Sequence, residues 1–117
     1  MQIPKPSEAD KAMFRSMVPD GSRVEVKAMF GNLGAFVNGN MFMGLFGSDV
    51  GVKLAPTDVA ALLEIDGAGP FGPAERPMGG YVSLPASLRG SPEAALWIGR
   101  ALEYVGAMPP KPAAARS

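Results

Sequence analysis

Asp49, Asp58, Glu64 and Asp66 are the residues of this 117-residue chain that come nearest to a set able to hold a hard cation or share a proton. A calcium loop needs oxygen ligands at fixed short intervals, and these four carboxylates lack that spacing. Asp49 belongs to a Gly-Ser-Asp turn and Asp58 to a helix start, the two places where solvated carboxylates ordinarily serve local structure. The chain contains no histidine and no cysteine. That removes the Ser-His-Asp triad, the Cys-His pair, the 2-His-1-carboxylate iron site and the Cys-type zinc site. The residues predict no catalytic centre, no metal and no cofactor.

Two glycine strings could cradle phosphate if their surroundings were right. Gly67-Ala68-Gly69-Pro70-Phe71-Gly72 is a literal G-x-G-x-x-G. A dinucleotide site needs that string after a strand and opening a helix. Here it follows a predicted helix, and Pro70 removes an amide, so it reads as loop. Gly31-Asn32-Leu33-Gly34 has the form of a KH-domain clamp, but that clamp joins helices and this one lies between strands. A glycine-permitted bend or bulge is the reading here. Pro70–Pro73 and Pro109–Pro112 have PxxP spacing, and both read as spacers. Among the methionines, Met13, Met17 and Met108 fall on helix stripes and are expected in the core.

The elements that position these residues follow from period and punctuation. Ser7 to Met17 predicts a helix, with Ser7 as cap, Glu8 and Asp10 in the first turn, and a stripe of Ala9, Met13, Phe14 and Met17. After Pro19-Asp20-Gly21, Val24, Val26 and Ala28 alternate with Arg23, Glu25 and Lys27, a strand with one wet face. Leu33–Val37 and Asn40–Phe46 flank Asn38-Gly39, the strongest short hairpin signal. Val50–Leu54 predicts a fourth strand. Pro56–Ile65 predicts a second helix with Val59, Leu62 and Leu63 on one side, stopped by Gly67. Gly67–Gly80 is a loop, and Tyr81–Leu84 a last short strand. Ser91-Pro92-Glu93 opens a third helix whose face carries Ala94, Trp97, Ala101, Tyr104, Val105 and Met108.

Length and composition bound the whole. The chain holds one domain, expected over residues 1–108, with a Pro/Ala-rich disordered tail over 109–117. Hydrophobic residues make up 47% and charged ones 19%, a globular balance,. Lys+Arg and Asp+Glu both number 11, so no long-range field draws the chain to nucleic acid or anionic membrane. Ala28–Ser48 is uncharged, but its glycines and asparagines make a poor spanning helix, and no membrane role is expected. The N-terminus has no apolar run following its charge, which argues against a signal peptide.

Met29-Phe30-Gly31-Asn32-Leu33-Gly34-Ala35-Phe36-Val37-Asn38-Gly39-Asn40-Met41-Phe42 resembles the opening of the sheet in the N-terminal domain of the TfoX/Sxy competence regulators. Pro70-Phe71, Tyr81-x-x-Leu84-Pro85 and a helix carrying Trp97 and Ala101 match in order, over roughly Met29 to Lys111. The positions that carry the resemblance are Met29, Phe30, Gly31, Gly34, Asn38, Gly39, Phe42, Phe71, Tyr81 and Trp97. It implies a two-layer α+β fold, secretion-chaperone-like: an antiparallel sheet of about five strands, with helices at both chain ends and one between strands. It also implies a bacterial, cytoplasmic, non-enzymatic regulatory or protein-interaction domain, without the C-terminal helical domain of the full-length regulators. The alternative is a nucleic-acid-binding transcriptional regulator of competence-like genes. The mixed charges of the first strand make any DNA contact weak and non-specific.

A two-residue turn pairs Phe36 with Met41 and Ala35 with Phe42. Phe36, Met41, Met43 and Leu45 then share one face with Gly34, and Leu33, Ala35, Val37, Phe42 and Phe46 share the other. Both faces are apolar. The expectation is a homodimer, or another protein, docked on Phe36, Met41, Met43 and Leu45. The competing expectation is that the first helix or the Gly67–Gly80 loop covers that face within one chain.

Overall fold

The computed structural model describes residues 4–29 and 31–110. Its elements run α1 (Glu8–Met17), β1 (Val24–Met29), β2 (Asn32–Val37), β3 (Asn40–Phe46), β4 (Asp49–Lys53), α2 (Pro56–Leu63), β5 (Gly69–Pro70), β6 (Tyr81–Ser83), a 3-10 turn at Ala86–Leu88, and α3 (Pro92–Gly106). Every strand pairing is antiparallel, and the six-stranded sheet has the order β1-β2-β3-β4-β6-β5. This is an α+β fold with helices at both chain ends and one between strands. The two-residue β5 is the strand the sequence pattern misses, because Gly-Pro carries no strand period.

The helix ends form where the caps predict. The Asp10 N–H donates to the Ser7 Oγ at 3.0 Å and the Ser7 N–H to the Asp10 carboxylate at 2.9 Å, a reciprocal capping box,. In α3 the Ala94 N–H donates to the Ser91 Oγ at 3.2 Å, with Pro92 at the first turn,. Helix α2 begins on Pro56 but ends at Leu63, two residues early; Leu62 is buried and Leu63 is 46% exposed. Gly67, at φ +93, takes the chain away in a conformation that favours glycine,.

The core lies between the helices and one face of the sheet. Helix α3 packs across β2, β3 and β4, and α2 packs on β6. Phe14 of α1, Leu62 of α2, and Ala94, Trp97, Ile98, Ala101 and Val105 of α3 meet Leu33, Ala35, Val37, Phe42, Met43, Leu45, Val50, Val52 and Leu84. Ile98 is a core residue absent from the expected stripe. The Arg100 guanidinium lies 5.1 Å from the Trp97 ring centre and 3.2 Å from the Asp58 carboxylate, joining α3 to the start of α2.

A β-bulge corrects the expected faces of the hairpin. Val37 pairs with Asn40 and Phe36 with Met41, as a two-residue turn requires, but Ala35 then pairs with Met43. Phe42 and Met43 together oppose Ala35, and both side chains enter the core,. From that point β3 is inverted: Met43 and Leu45 lie on the helix side, 0% and 3% exposed, and Phe46 lies on the back. Phe36, Met41, Met43 and Leu45 therefore do not form one patch.

Candidate functional site

The back of the sheet, opposite the helices, is built around residues with no side chain. The registers align Gly34 with Gly44, Gly44 with Gly51, Gly51 with Ser83, and Ser83 with Gly69. This is a row of small residues crossing five adjacent strands. Glycine in a strand weakens it unless something must approach the backbone closely. Phe71 is what approaches. It leaves β5, is 2% exposed, and lays its ring on Gly51 and against Gly44. Phe46 meets the ring edge-on at 6.2 Å between centroids, and Tyr81 lies at 6.0 Å. The Gly67–Gly80 loop thus covers the centre of this face within the chain.

At the hairpin tip the loop reaches in only with Met78 and leaves the face partly open. There Phe36, Gly39, Asn40, Met41, Lys53, Met78, Tyr81 and Met108 line an open cleft of about 330 Å3. Three thioethers and two aromatic rings make its walls. The Lys53 ammonium stands 5.2 Å from the centre of the Tyr81 ring and is in no ion pair among the described residues. The Tyr81 hydroxyl donates to the Met41 carbonyl at 2.9 Å. Burial pushes the Tyr81 phenol up to about 12, so it is neutral and committed as a donor near pH 7,. A neutral phenol, an ammonium and methionines give the cleft a mixed polar and apolar lining,.

The cleft is shaped by the tight turn and by the end of α3. Asn38 has φ 55 and Gly39 φ 78, the left-handed pair of a type I′ turn,. The Asn38 side-chain amide donates to the Gly106 carbonyl at 3.0 Å, and that of Asn40 to the Pro109 carbonyl at 3.2 Å. These bonds satisfy carbonyls at and just beyond the end of the helix and hold Met108 beside Met41,. Of the expected tail, residues 111–117 lie outside the described residues, while Pro109 is fixed by this bond.

The residues expected from the sequence divide accordingly. Phe36 and Met41 line the cleft, whereas Met43 and Leu45 are core. Asn38, Gly39, Phe71 and Tyr81 shape the back face, Phe42 and Trp97 are buried, and Gly31, at φ +84, lies between β1 and β2. Phe30 and the Met29 side chain lie outside what the structure describes. Sequence reasoning missed Lys53, Met78 and the bridging role of Asn32. Asn32 is 5% exposed. It accepts the Gly47 N–H at 2.8 Å and donates to the Pro4 carbonyl at 3.1 Å. Asp49 and Asp58 face Arg89 and Arg100 at 3.8 and 3.2 Å. No group of acidic residues able to hold a metal ion occurs among the described residues, and no helix among them is long and apolar enough to cross a membrane.

The family model for the TfoX N-terminal domain matches residues 16–104, more than half of the chain. No curated protein matches the chain. No solved structure matches it either.

Proposed function

From a chain that belongs to the TfoX N-terminal domain family, and from the cleft at its hairpin tip, we propose a non-enzymatic regulatory domain that works by protein contact in the bacterial cytoplasm. The single observation that carries this reading is the cleft of about 330 Å3 walled by Met41, Met78, Met108, Phe36 and Tyr81 with Lys53 on its lining. Methionine walls adapt to apolar side chains of different shape, and an ammonium in no ion pair among the described residues selects a carboxylate beside them. The partner is accordingly an apolar protein segment carrying an acidic residue.

Photo-crosslinking in cells tests it. A Met78→p-benzoylphenylalanine variant is expected to form an adduct with a defined protein, and Lys53→Glu to abolish that adduct. Adducts with nucleic acid alone would overturn the reading and favour the transcriptional regulator.

A further inference from the structure

We propose that the open edge of β1 is a dimerisation edge, at which a second copy of this chain adds antiparallel about a twofold axis through Val26. The two sheets then become one. The proposal goes beyond the cleft, whose lining contains no β1 residue.

Among the described residues β1 pairs on one side only, with β2. The direction of its free backbone groups follows from the hairpin. In a two-residue hairpin the pair beside the turn, here Val37 and Asn40, exchanges hydrogen bonds,. Val37 and Ala35 therefore bond toward β3, and Phe36 and Gly34 toward β1. Phe36 faces Glu25 and Gly34 faces Lys27. The N–H and C=O groups of Val24, Val26 and Ala28 are left pointing to the open edge. The Val24 N–H agrees with this, since it donates to the Gly21 carbonyl at 3.2 Å and not to β2. Among the described residues the edge is also bare of side-chain cover: Val26 lies on the helix side of the sheet yet is 36% exposed, and Ala28 is exposed.

A free edge invites pairing, and its charges decide which pairing. Facing residues must share a side of the sheet, and the bonding groups must meet, so Val24, Val26 and Ala28 pair only among themselves. A twofold through Glu25 sets Glu25 against the second copy's Glu25 and Lys27 against its Arg23. A twofold through Lys27 sets Lys27 against Lys27. Both oppose like charges. A twofold through Val26 sets Glu25 against the second copy's Lys27 twice over and brings the exposed Val26 side chains together. Glu25 and Lys27 already stand on one face, 3.7 Å apart with both side chains at least half exposed. The Val26 residues exchange N–H···O bonds in this register. Each Ala28 N–H reaches the opposite Val24 carbonyl, while the Val24 N–H stays on Gly21.

Light scattering after size exclusion on the full chain, with a dilution series, tests the edge and the register together. The expected mass is twice the 12.1 kDa of one chain. Glu25→Lys and Lys27→Glu each turn two attractive cross-strand pairs repulsive and are expected to weaken association about tenfold. The double variant is expected to restore it. Val26→Pro removes an N–H that serves only the open edge and is expected to give a folded monomer by circular dichroism. Should that variant not fold, the two reversals and their rescue decide. A wild-type monomer at high micromolar concentration overturns the proposal. So does a dimer untouched by Val26→Pro and by both reversals, or a double variant that remains as weak as the singles.

Discussion

Phe71 rests on Gly51 so closely that a β-carbon there would overlap the aromatic ring. The loop that carries Phe71 and the strand that carries Gly51 therefore depend on one another. Gly51→Ala is expected to lift the ring and cost about 1–3 kcal/mol, as overpacking does. Phe71→Ala is expected to cost about 3 kcal/mol or more, since the ring is 2% exposed,. The double variant should lose clearly less than the sum, because the added methyl then meets no ring. Urea unfolding of the four proteins measures the coupling.

The hydroxyl of Tyr81 sets an alkaline limit. Burial raises its pKa from 10 in the unfolded chain to about 12 in the fold. A raised pKa means that the folded state holds the proton more tightly. The contribution is complete below pH 10 and is lost as pH rises through about 12,. Stability should fall across that window in the wild type and stay flatter in Tyr81→Phe. At pH 7 the variant is expected to lose about 1 kcal/mol with the bond to Met41. Thermal unfolding at several pH values, with ultraviolet titration of the phenolate, checks both.

Asn38 serves two purposes that two substitutions separate. Asn38→Gly keeps the positive φ and removes the amide that reaches Gly106. It is expected to cost about 1 kcal/mol. Asn38→Val also forces a β-branched residue to φ 55, and should cost about 1–3 kcal/mol more. Chemical denaturation gives the values, and the methyl resonance of Met108 reports whether the end of α3 has come away from the hairpin.

Asn32 ties Pro4 to the turn between β3 and β4. Asn32→Ala leaves the Gly47 N–H without its partner, at an expected cost of about 1–3 kcal/mol. Hydrogen exchange at the Gly47 amide should accelerate in step. Unchanged protection there would mean that Asn32 is not the group that shields it.

What is local was legible in the residues alone. Ser7 with Asp10, Ser91 with Pro92, and Asn38 with Gly39 each carry their instruction within three residues, and the structure forms each one. The absence of histidine and cysteine was equally final, because it removes functional groups regardless of fold.

Which residues share the back of the sheet follows from the strand pairing and not from local pattern. A strand alternates with period two, so the faces can be read outward from a turn only while the register is regular. One extra residue at Phe42 inverts everything after it, sending Met43 and Leu45 to the core and Phe46 to the back. Gly34, Gly44 and Gly51 are visible as glycines in strands, but their alignment into one row depends on that same bulge. What fills the row, Phe71, arrives from a loop with no period of its own. Likewise Val26 has the pattern of a buried position, and only the place of β1 at the edge of the sheet leaves it 36% exposed. Side-chain direction is a local property, whereas burial depends on which neighbour the chain brings alongside.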